Sequence, residues 1–198
     1  MPYQVEIYKY EPYRLEEVPK KPLPSVPTSW NGLEKILPDL IERSGIEANL
    51  ALEFGVWHGY STAALANNFK RVIGVDTFEG DVIKGTEDTP MFYTTSKTLE
   101  PWPNIGLLKS RFQDYMRWDG GNTVRPDLIH IDIVHTYEDT FACGVLALNI
   151  CDMVIFHDTE SFPEVKRACC DLTRLHNFSF RNYYECHGLG ILTWKNIR

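Results

Sequence analysis

The sequence predicts an α/β fold in one domain: a doubly wound, mostly parallel sheet with an antiparallel hairpin at its C-terminal end. Three observations carry that expectation. From Asn49 onward, short apolar runs rich in β-branched residues alternate with stretches of helical period. The runs are continuous rather than alternating, which suits strands buried on both faces of a parallel sheet. The chain is 198 residues long and 43% apolar, enough to bury a full core without disulfides or metals as staples.

Residues 1–29 read as an irregular arm. Half of the 12 prolines fall there, and closely spaced proline disfavours helices and strand ladders alike. Its tyrosines (Tyr3, Tyr8, Tyr10, Tyr13) argue that the arm packs on the body or on a second copy of the chain, the latter a route to a homo-oligomer. Residues 30–198 form the domain. Leu33, Ile36, Leu37, Leu40 and Ile41 recur at helical spacing, and Pro38 predicts a kink or two short helices ending near Gly45. Strand-like runs follow at Asn49–Val56, Arg71–Phe78, Ile105–Phe112, Asp127–Val134 and Met153–His157, with a helical stretch at Ser61–Phe69 between the first two. Thr136-Tyr-Glu-Asp139 has the form of a capping box, and Phe141, Val145 and Leu148 mark one face of the helix it opens. Ser161-Phe-Pro-Glu164 opens another helix, with Pro163 in the first turn and Val165, Ala168, Cys169 and Leu172 facing inward. Phe178–Glu185 and Gly190–Trp194, joined around His187-Gly188, read as the closing hairpin.

Composition excludes several function classes. A net charge of −7 argues against a non-specific nucleic-acid binder, which presents a basic surface. No segment approaches the ~18 uninterrupted apolar residues of a membrane span. The start Met1-Pro-Tyr-Gln-Val-Glu lacks the basic and apolar pattern of a secretory signal. Cys143, Cys151, Cys169, Cys170 and Cys186 are odd in number and form no C-x-x-C pair. They read as buried, reduced thiols, which places the protein in the cytoplasm.

In open α/β sheets, ligands sit beyond the carboxyl ends of the strands, at the switch in strand order. The first run ends in Glu53-Phe-Gly-Val-Trp-His-Gly-Tyr-Ser-Thr62. Gly55 and Gly59 would let a backbone turn approach a ligand, and Ser61-Thr62 would cap the following helix. This is neither the G-x-G-x-x-G fingerprint nor a phosphate loop. The second run ends in Val75-Asp76-Thr77-Phe78-Glu79-Gly80. An acid there, roughly 20 residues beyond a glycine turn, is placed to accept hydrogen bonds from ribose hydroxyls, although an isolated Asp76 would also serve as a turn cap.

These segments resemble the class I S-adenosylmethionine-dependent methyltransferases, and within them the macrocin O-methyltransferase type and its cephalosporin-hydroxylase-like relatives. The matching residues are Leu52-Glu-Phe-Gly-Val-Trp-His-Gly59, Gly74-Val-Asp-Thr-Phe-Glu-Gly80, Leu107-Leu-Lys-Ser-Arg-Phe112, Ile129-His-Ile-Asp132 with His135 and Tyr137, and Val154-Ile-Phe-His-Asp-Thr159. The resemblance runs from about Ala48 to Leu172, in order, and leaves out the arm. It implies a Rossmann-like methyltransferase sheet that binds S-adenosylmethionine. Glu53 and the turn Gly55, Val56, Trp57 and Gly59 would hold the methionine part, with Ser61 opening the helix behind it. Asp76, beside Thr77, would bind the ribose, and Phe78 would lie against the adenine. Ser110, Arg111 and Phe112 stand on the adenine side, where the family usually has a glycine before an acidic or aromatic residue.

A second constellation lies at the ends of the fourth and fifth runs, Asp132 and His157-Asp158. Carboxylates converging from adjacent parallel strands suit a hard cation such as Mg²⁺ or Mn²⁺. The metal-dependent members of the resembling group hold their ion with acids at these two positions, where it orients two substrate oxygens and lowers a hydroxyl pKa. Here the second position reads His-Asp, and a histidine ligand shifts preference toward Mn²⁺, Fe²⁺ or Zn²⁺. The alternative is that Asp132 touches the cofactor and Asp158 caps the Ser161 helix. His135, three residues after Asp132, is placed as a general base for a hydroxyl, or as a loop histidine bonded to a helix entrance. His130 reads as a packed core residue, His58 as part of the glycine turn, and His176 and His187 as surface residues. The leading function is methyl transfer from S-adenosylmethionine to an oxygen of a small molecule; a repurposed, non-catalytic protein on the same fold competes with it. The Val82–Pro103 stretch, with Phe92, Tyr93 and Trp102 beside Asp81, Glu87 and Asp88, suits a polar ring such as a sugar or phenol as acceptor. It reads equally as a mobile lid.

Overall fold

The computed structural model describes residues 5–11, 21–80, 92–118, 125–176 and 178–194. Eight strands form one sheet: β1 (Ile7–Tyr8), β2 (Leu50–Phe54), β3 (Arg71–Asp76), β4 (Ile105–Lys109), β5 (Leu128–Ile131), β6 (Met153–Phe156), β7 (Ser179–Tyr183) and β8 (Leu189–Thr193). Their spatial order is β1-β7-β8-β6-β5-β2-β3-β4. From β4 through β3, β2 and β5 to β6 every pairing is parallel. β8 runs antiparallel between β6 and β7, and β1 pairs parallel with β7 at the edge.

Helices cover both faces, and the two-residue period of the strands sends alternate side chains into two cores. α1 (Leu33–Ser44), α2 (Tyr60–Ala66) and α3 (Phe92–Leu99) share a core with Ala51, Val72, Leu128, Met153 and Ile155. α4 (Phe112–Arg117), α5 (Tyr137–Leu148) and α6 (Pro163–His176) pack on Leu52, Phe54, Ile73, Val75, Ile129, Val154 and Phe156. The chain order reverses between β2 and β5, and that switch point opens the crevice described below.

Four local expectations are corrected. The arm is not wholly irregular, because Ile7–Tyr8 adds a strand to β7. The reason is local: residues 3–11 are the longest proline-free stretch of the arm, so their N–H groups are available for a ladder. Of the kink or two short helices expected at Pro38, the two short helices are excluded: α1 is one continuous helix with Pro38 inside it, closed at the expected Gly45 in the left-handed region. Burial of Leu33, Ile36, Leu37 and Leu40 holds it through the missing hydrogen bond. The buried side of α5 is Thr140, Cys143, Gly144, Ala147 and Leu148, while Phe141 and Val145 are only partly buried. Small residues face inward because α6 passes close by; a Cβ on Gly144 would lie 2.3 Å from Leu172 Cδ1. Within the Val82–Pro103 stretch, α3 stands where a loop was expected, and Trp102 is buried with its indole N–H donated to Asn67. Asp81, Glu87 and Asp88 lie outside the described residues.

Two further differences are a helix, α4, that begins where the strand run Ile105–Phe112 was expected to end, and an α2 that starts at Tyr60 with Gly59 as its cap, so that Ser61 and Thr62 lie inside the helix instead of capping it. The other elements stand within a few residues of expectation. Thr136 caps α5, and Val165, Ala168, Cys169 and Leu172 are all buried. All five cysteines are free and buried. No helix among the described residues is long and apolar enough to cross a membrane.

Candidate active site

A cavity of about 500 Å³ opens at the carboxyl ends of β2 to β6. Its first half is built by backbone. Gly55 leaves β2 with φ +91°, and an added Cβ there would lie 1.8 Å from the Asp132 carbonyl oxygen. Glycine is therefore demanded by the neighbouring strand end as well as by any ligand. Asp76, at the end of β3, reaches across to this turn. Its Oδ2 accepts from Val56 N at 2.7 Å and Trp57 N at 2.9 Å, and its Oδ1 accepts from Phe78 N at 2.7 Å. Two lone pairs on each oxygen leave Oδ1 with one acceptor position after these three bonds. Trp57 and Phe78 both hold left-handed backbone, a strain that a bulky residue bears only where its surroundings hold it there. α3 supplies part of that hold: Thr95 Oγ1 donates to the Trp57 carbonyl, and Phe92 packs edge-on against Phe78.

The second half is built by side chains. Asp132 follows β5, His157 and Asp158 follow β6, and His135 lies on the connection into α5. His135 Nε2 lies 3.4 Å from Asp132 Oδ1 and 2.8 Å from Asp158 Oδ2. His157 Nδ1 lies 3.1 Å from Asp132 Oδ2 and 3.5 Å from Asp158 Oδ2. Carboxylates and imidazoles thus alternate around a ring, with the four donor atoms all within 4.8 Å of one another. Neither His135 Nε2 nor either nitrogen of His157 has a hydrogen-bond partner in proper geometry. Burial opposes charge on both histidines, but Asp132 and Asp158 outweigh it: the His135 pKa is pushed up to about 9, and that of His157 is raised. Burial likewise opposes the Asp132 charge, yet His157 and His135 beside it hold its carboxyl well below the usual range.

Trp30 is the residue that sequence reasoning missed. It is 3% exposed, sits just before α1, and donates its indole N–H to Asp132 Oδ2 at 3.1 Å. Its ring stacks on His157 at 4.0 Å and meets His130 edge-on at 4.7 Å. Strand parity explains the meeting, since His130 and Asp132 project to the same side of β5. No spacing in the sequence marks Trp30; its only signal is a large aromatic directly before the first helix. Asp158, itself at φ +60°, is held from the far side. Thr159, Glu160 and Ser161 donate backbone N–H groups to the carbonyls of Gly188 and His187, and Thr159 Oγ1 donates to the fully buried Asn182.

The family described as "Methyltransferase domain" matches residues 52–159, more than half of the chain and every strand end that lines the cavity. The chain belongs to this methyltransferase family. Among curated proteins, no sequence matches it. Among solved structures, this methyltransferase is similar to the O-methyltransferase NovP, with 14% identity over 85% of this chain and 79% of that one, and a TM-score of 0.63. It is also similar to the Streptococcus mutans protein SMU.1697c in complex with S-adenosylhomocysteine, at 14% identity, 81% and 97% coverage and a TM-score of 0.59. The Podospora anserina methyltransferase PaMTH1, also bound to S-adenosylhomocysteine, follows at 11% identity, 75% and 72% coverage and a TM-score of 0.55. At such identities the likeness shows the fold.

Of the residues singled out from sequence, the methyltransferase cavity is lined by Gly55, Trp57, Asp76, Thr77, Phe78, Ser110, Arg111 and Phe112 on one side, and by Asp132, His135, His157 and Asp158 on the other. Glu53, Val56, Gly59 and Ser61 do not line it. Glu53 is turned into the core, where its carboxylate accepts from Thr62 Oγ1 and sits 2.8 Å from His130 Nδ1. A strand residue at that parity faces α2 rather than the crevice. His130 is fully buried, as expected of a core residue, and His187 is exposed. His58 packs on Trp57 outside the cavity.

Proposed function

We propose that this methyltransferase transfers the methyl group of S-adenosylmethionine to a hydroxyl oxygen of a small molecule, with the help of a divalent ion, in the manner of the macrocin O-methyltransferase type. The observation that carries the reading is a single cavity holding both halves: the Asp76-braced glycine turn on one side and the Asp132, His135, His157 and Asp158 ring on the other. The backbone half suits the cofactor, with the free Oδ1 position of Asp76 directed at ribose hydroxyls and Phe78 and Phe112 offering apolar surface to the adenine. Methyl transfer from a sulfonium needs chiefly alignment and a deprotonated acceptor. The residues of the second half fit an ion such as Mg²⁺ or Mn²⁺, since two carboxylates converge there and buried imidazole nitrogens lack hydrogen-bond partners. When bound, such an ion supplies charge that lowers an acceptor hydroxyl pKa. Trp30 positions Asp132 and closes that half from one side, and Phe162 stacks on His135 from another.

An acceptor with a polar ring, such as a sugar or phenol, suits a pocket that sets Trp30 beside carboxylates. An acidic chain favours such an acceptor over nucleic acid, and free thiols favour the cytoplasm. Calorimetric titration with S-adenosylhomocysteine, in chelator and again in MgCl₂ or MnCl₂, tests the reading. Saturable binding at micromolar concentration is expected. No binding in either condition would withdraw it and leave a repurposed fold.

A further inference from the structure

We propose that Asp132, His135, His157 and Asp158 form a mixed nitrogen–oxygen site that takes a divalent transition ion such as Mn²⁺, Co²⁺ or Zn²⁺ in preference to Mg²⁺, with His135 a ligand rather than a free base. The inference deepens the ion-assisted reading above and rests on it for the role of the cavity. Three observations carry it.

The first is distance. Neighbouring ligands on one ion, at bond lengths of 2.0–2.2 Å, lie about 2.8–3.6 Å apart, depending on whether the bond angles are octahedral or tetrahedral. The four contacts around the ring measure 3.4, 2.8, 3.5 and 3.1 Å. Asp158 meets both histidines through Oδ2, and Asp132 meets His135 through Oδ1 and His157 through Oδ2, as a carboxylate that offers both oxygens to one ion does. The second is direction. A histidine that merely ion-pairs points a ring N–H at the carboxylate, yet His135 Nε2 and His157 Nδ1 make these approaches without hydrogen-bond geometry. His157 is 4% exposed, so water does not supply the missing partner cheaply. The third is how firmly each donor is held. His157 is fixed by the Trp30 stack, His135 by the Phe162 stack, Asp132 by the Trp30 indole N–H, and Asp158 by a left-handed backbone whose next three residues bond the 187–188 carbonyls. Held outer partners of this kind are what keep metal ligands oriented.

The choice of ion follows from the donors. Mg²⁺ prefers oxygen and gives up its waters reluctantly, whereas imidazole suits first-row transition ions. A ring with two nitrogens among its four donors therefore favours the latter. A His135 that ligates cannot at the same moment take a proton from the acceptor, which separates this arrangement from one with a free histidine base.

The test uses the full chain stripped with chelator. It is titrated calorimetrically with MgCl₂, MnCl₂, CoCl₂ and ZnCl₂, and the visible absorption of the Co²⁺ form is recorded. The proposal expects Co²⁺ or Zn²⁺ to bind at least tenfold more tightly than Mg²⁺, with ligand-field bands beyond those of aqueous Co²⁺. H135Q should lose at least tenfold in Co²⁺ affinity and alter the bands. H157D should bring Mg²⁺ to within tenfold of Co²⁺. Mg²⁺ binding as tightly as Co²⁺, or a folded H135Q with wild-type Co²⁺ affinity and spectrum, would overturn it. So would a wild-type protein indifferent to all four ions, which would leave a ring of ion pairs. The wild-type spectrum requires no variant to fold. S-adenosylhomocysteine binding, measured separately, distinguishes the two readings: a Co²⁺ response without nucleoside binding supports the ion site and withdraws the methyl-transfer reading.

Discussion

The two halves of the cavity are built on opposite plans. On the β2–β3 side a single carboxylate, Asp76, gathers three backbone N–H groups from segments about 20 residues apart, and these bonds fix the main chain of the glycine turn. On the β5–β6 side four side chains form the site, and its supports come from Trp30 before α1, from Phe162 at the start of α6 and from the 187–188 carbonyls. A backbone site tolerates changes of side chain but not of main-chain space. A side-chain site depends on contacts that span the whole sequence. The difference says which substitutions should damage which half.

Gly55→Ala should be the most damaging, because Gly55 lies between the halves. Its new Cβ would meet the Asp132 carbonyl oxygen, and the residue would keep a φ that glycine alone adopts easily. Strain and overpacking together should cost roughly 3–6 kcal/mol. Loss of soluble protein, or a melting temperature lowered by ten degrees or more, is the expected result. A variant that melts within a few degrees of wild type would show that the strand ends part easily.

Trp30→Ala comes next. Removing a buried tryptophan costs about 3–5 kcal/mol, and here it also strips Asp132 of its donor and His157 of its stacked ring. Trp30→Phe keeps the ring but not the N–H, and should lose about 1–2 kcal/mol. Chemical denaturation of the pair separates packing from hydrogen bonding. Equal losses in both would mean that the indole N–H carries the effect and the ring very little.

These two positions also show what the sequence made legible. Gly55 was visible as a turn glycine, and Asp76 as its acidic partner, because turn and acid lie close in sequence and strand ends are marked by composition. The reason Gly55 must be glycine was not visible, since the obstructing carbonyl belongs to a residue 77 positions away. Trp30 was invisible for the same reason: burial against His130, Asp132 and His157 is a tertiary fact with no local pattern. Glu53 shows the converse. It stands where the family resemblance puts a cofactor contact, and strand parity instead turns it toward Thr62 and His130. The two-residue strand at Ile7–Tyr8 was hidden behind the prolines on either side of it.

Asp76→Ala should strike the backbone half alone. Loss of charge-assisted hydrogen bonds to the ribose should weaken S-adenosylhomocysteine binding by about 1.5–3 kcal/mol. The turn also loses its brace, so part of that loss is a looser Val56–Trp57 backbone rather than a missing contact. Asp76→Asn keeps one side-chain oxygen as acceptor and should recover part of the affinity. The response of the melting temperature to Co²⁺ should persist in both variants, because no ring donor touches Asp76. Unchanged nucleoside affinity in folded Asp76→Ala would falsify the ribose assignment.

The smallest expected effect tests the side-chain half at its entrance. Thr136 caps α5: its hydroxyl oxygen accepts from Asp139 N at 3.2 Å and donates to Asp139 Oδ2 at 2.7 Å. The first turn of a helix leaves N–H groups without internal partners, so Thr136→Ala should cost about 1 kcal/mol of stability, read as a small drop in denaturation midpoint. His135 is the preceding residue, and Asp139 lines the cavity. Without the cap, the His135 backbone loses its fixed entry into α5, and the imidazole is held less firmly toward the ring. Co²⁺ affinity should therefore fall severalfold, more than a loss of 1 kcal/mol spread over the whole domain would produce. Thr136→Ser keeps the hydroxyl and should restore both properties. A stability loss with unchanged ion affinity would mean that the Phe162 stack alone sets His135, and that the helix entrance serves only the helix.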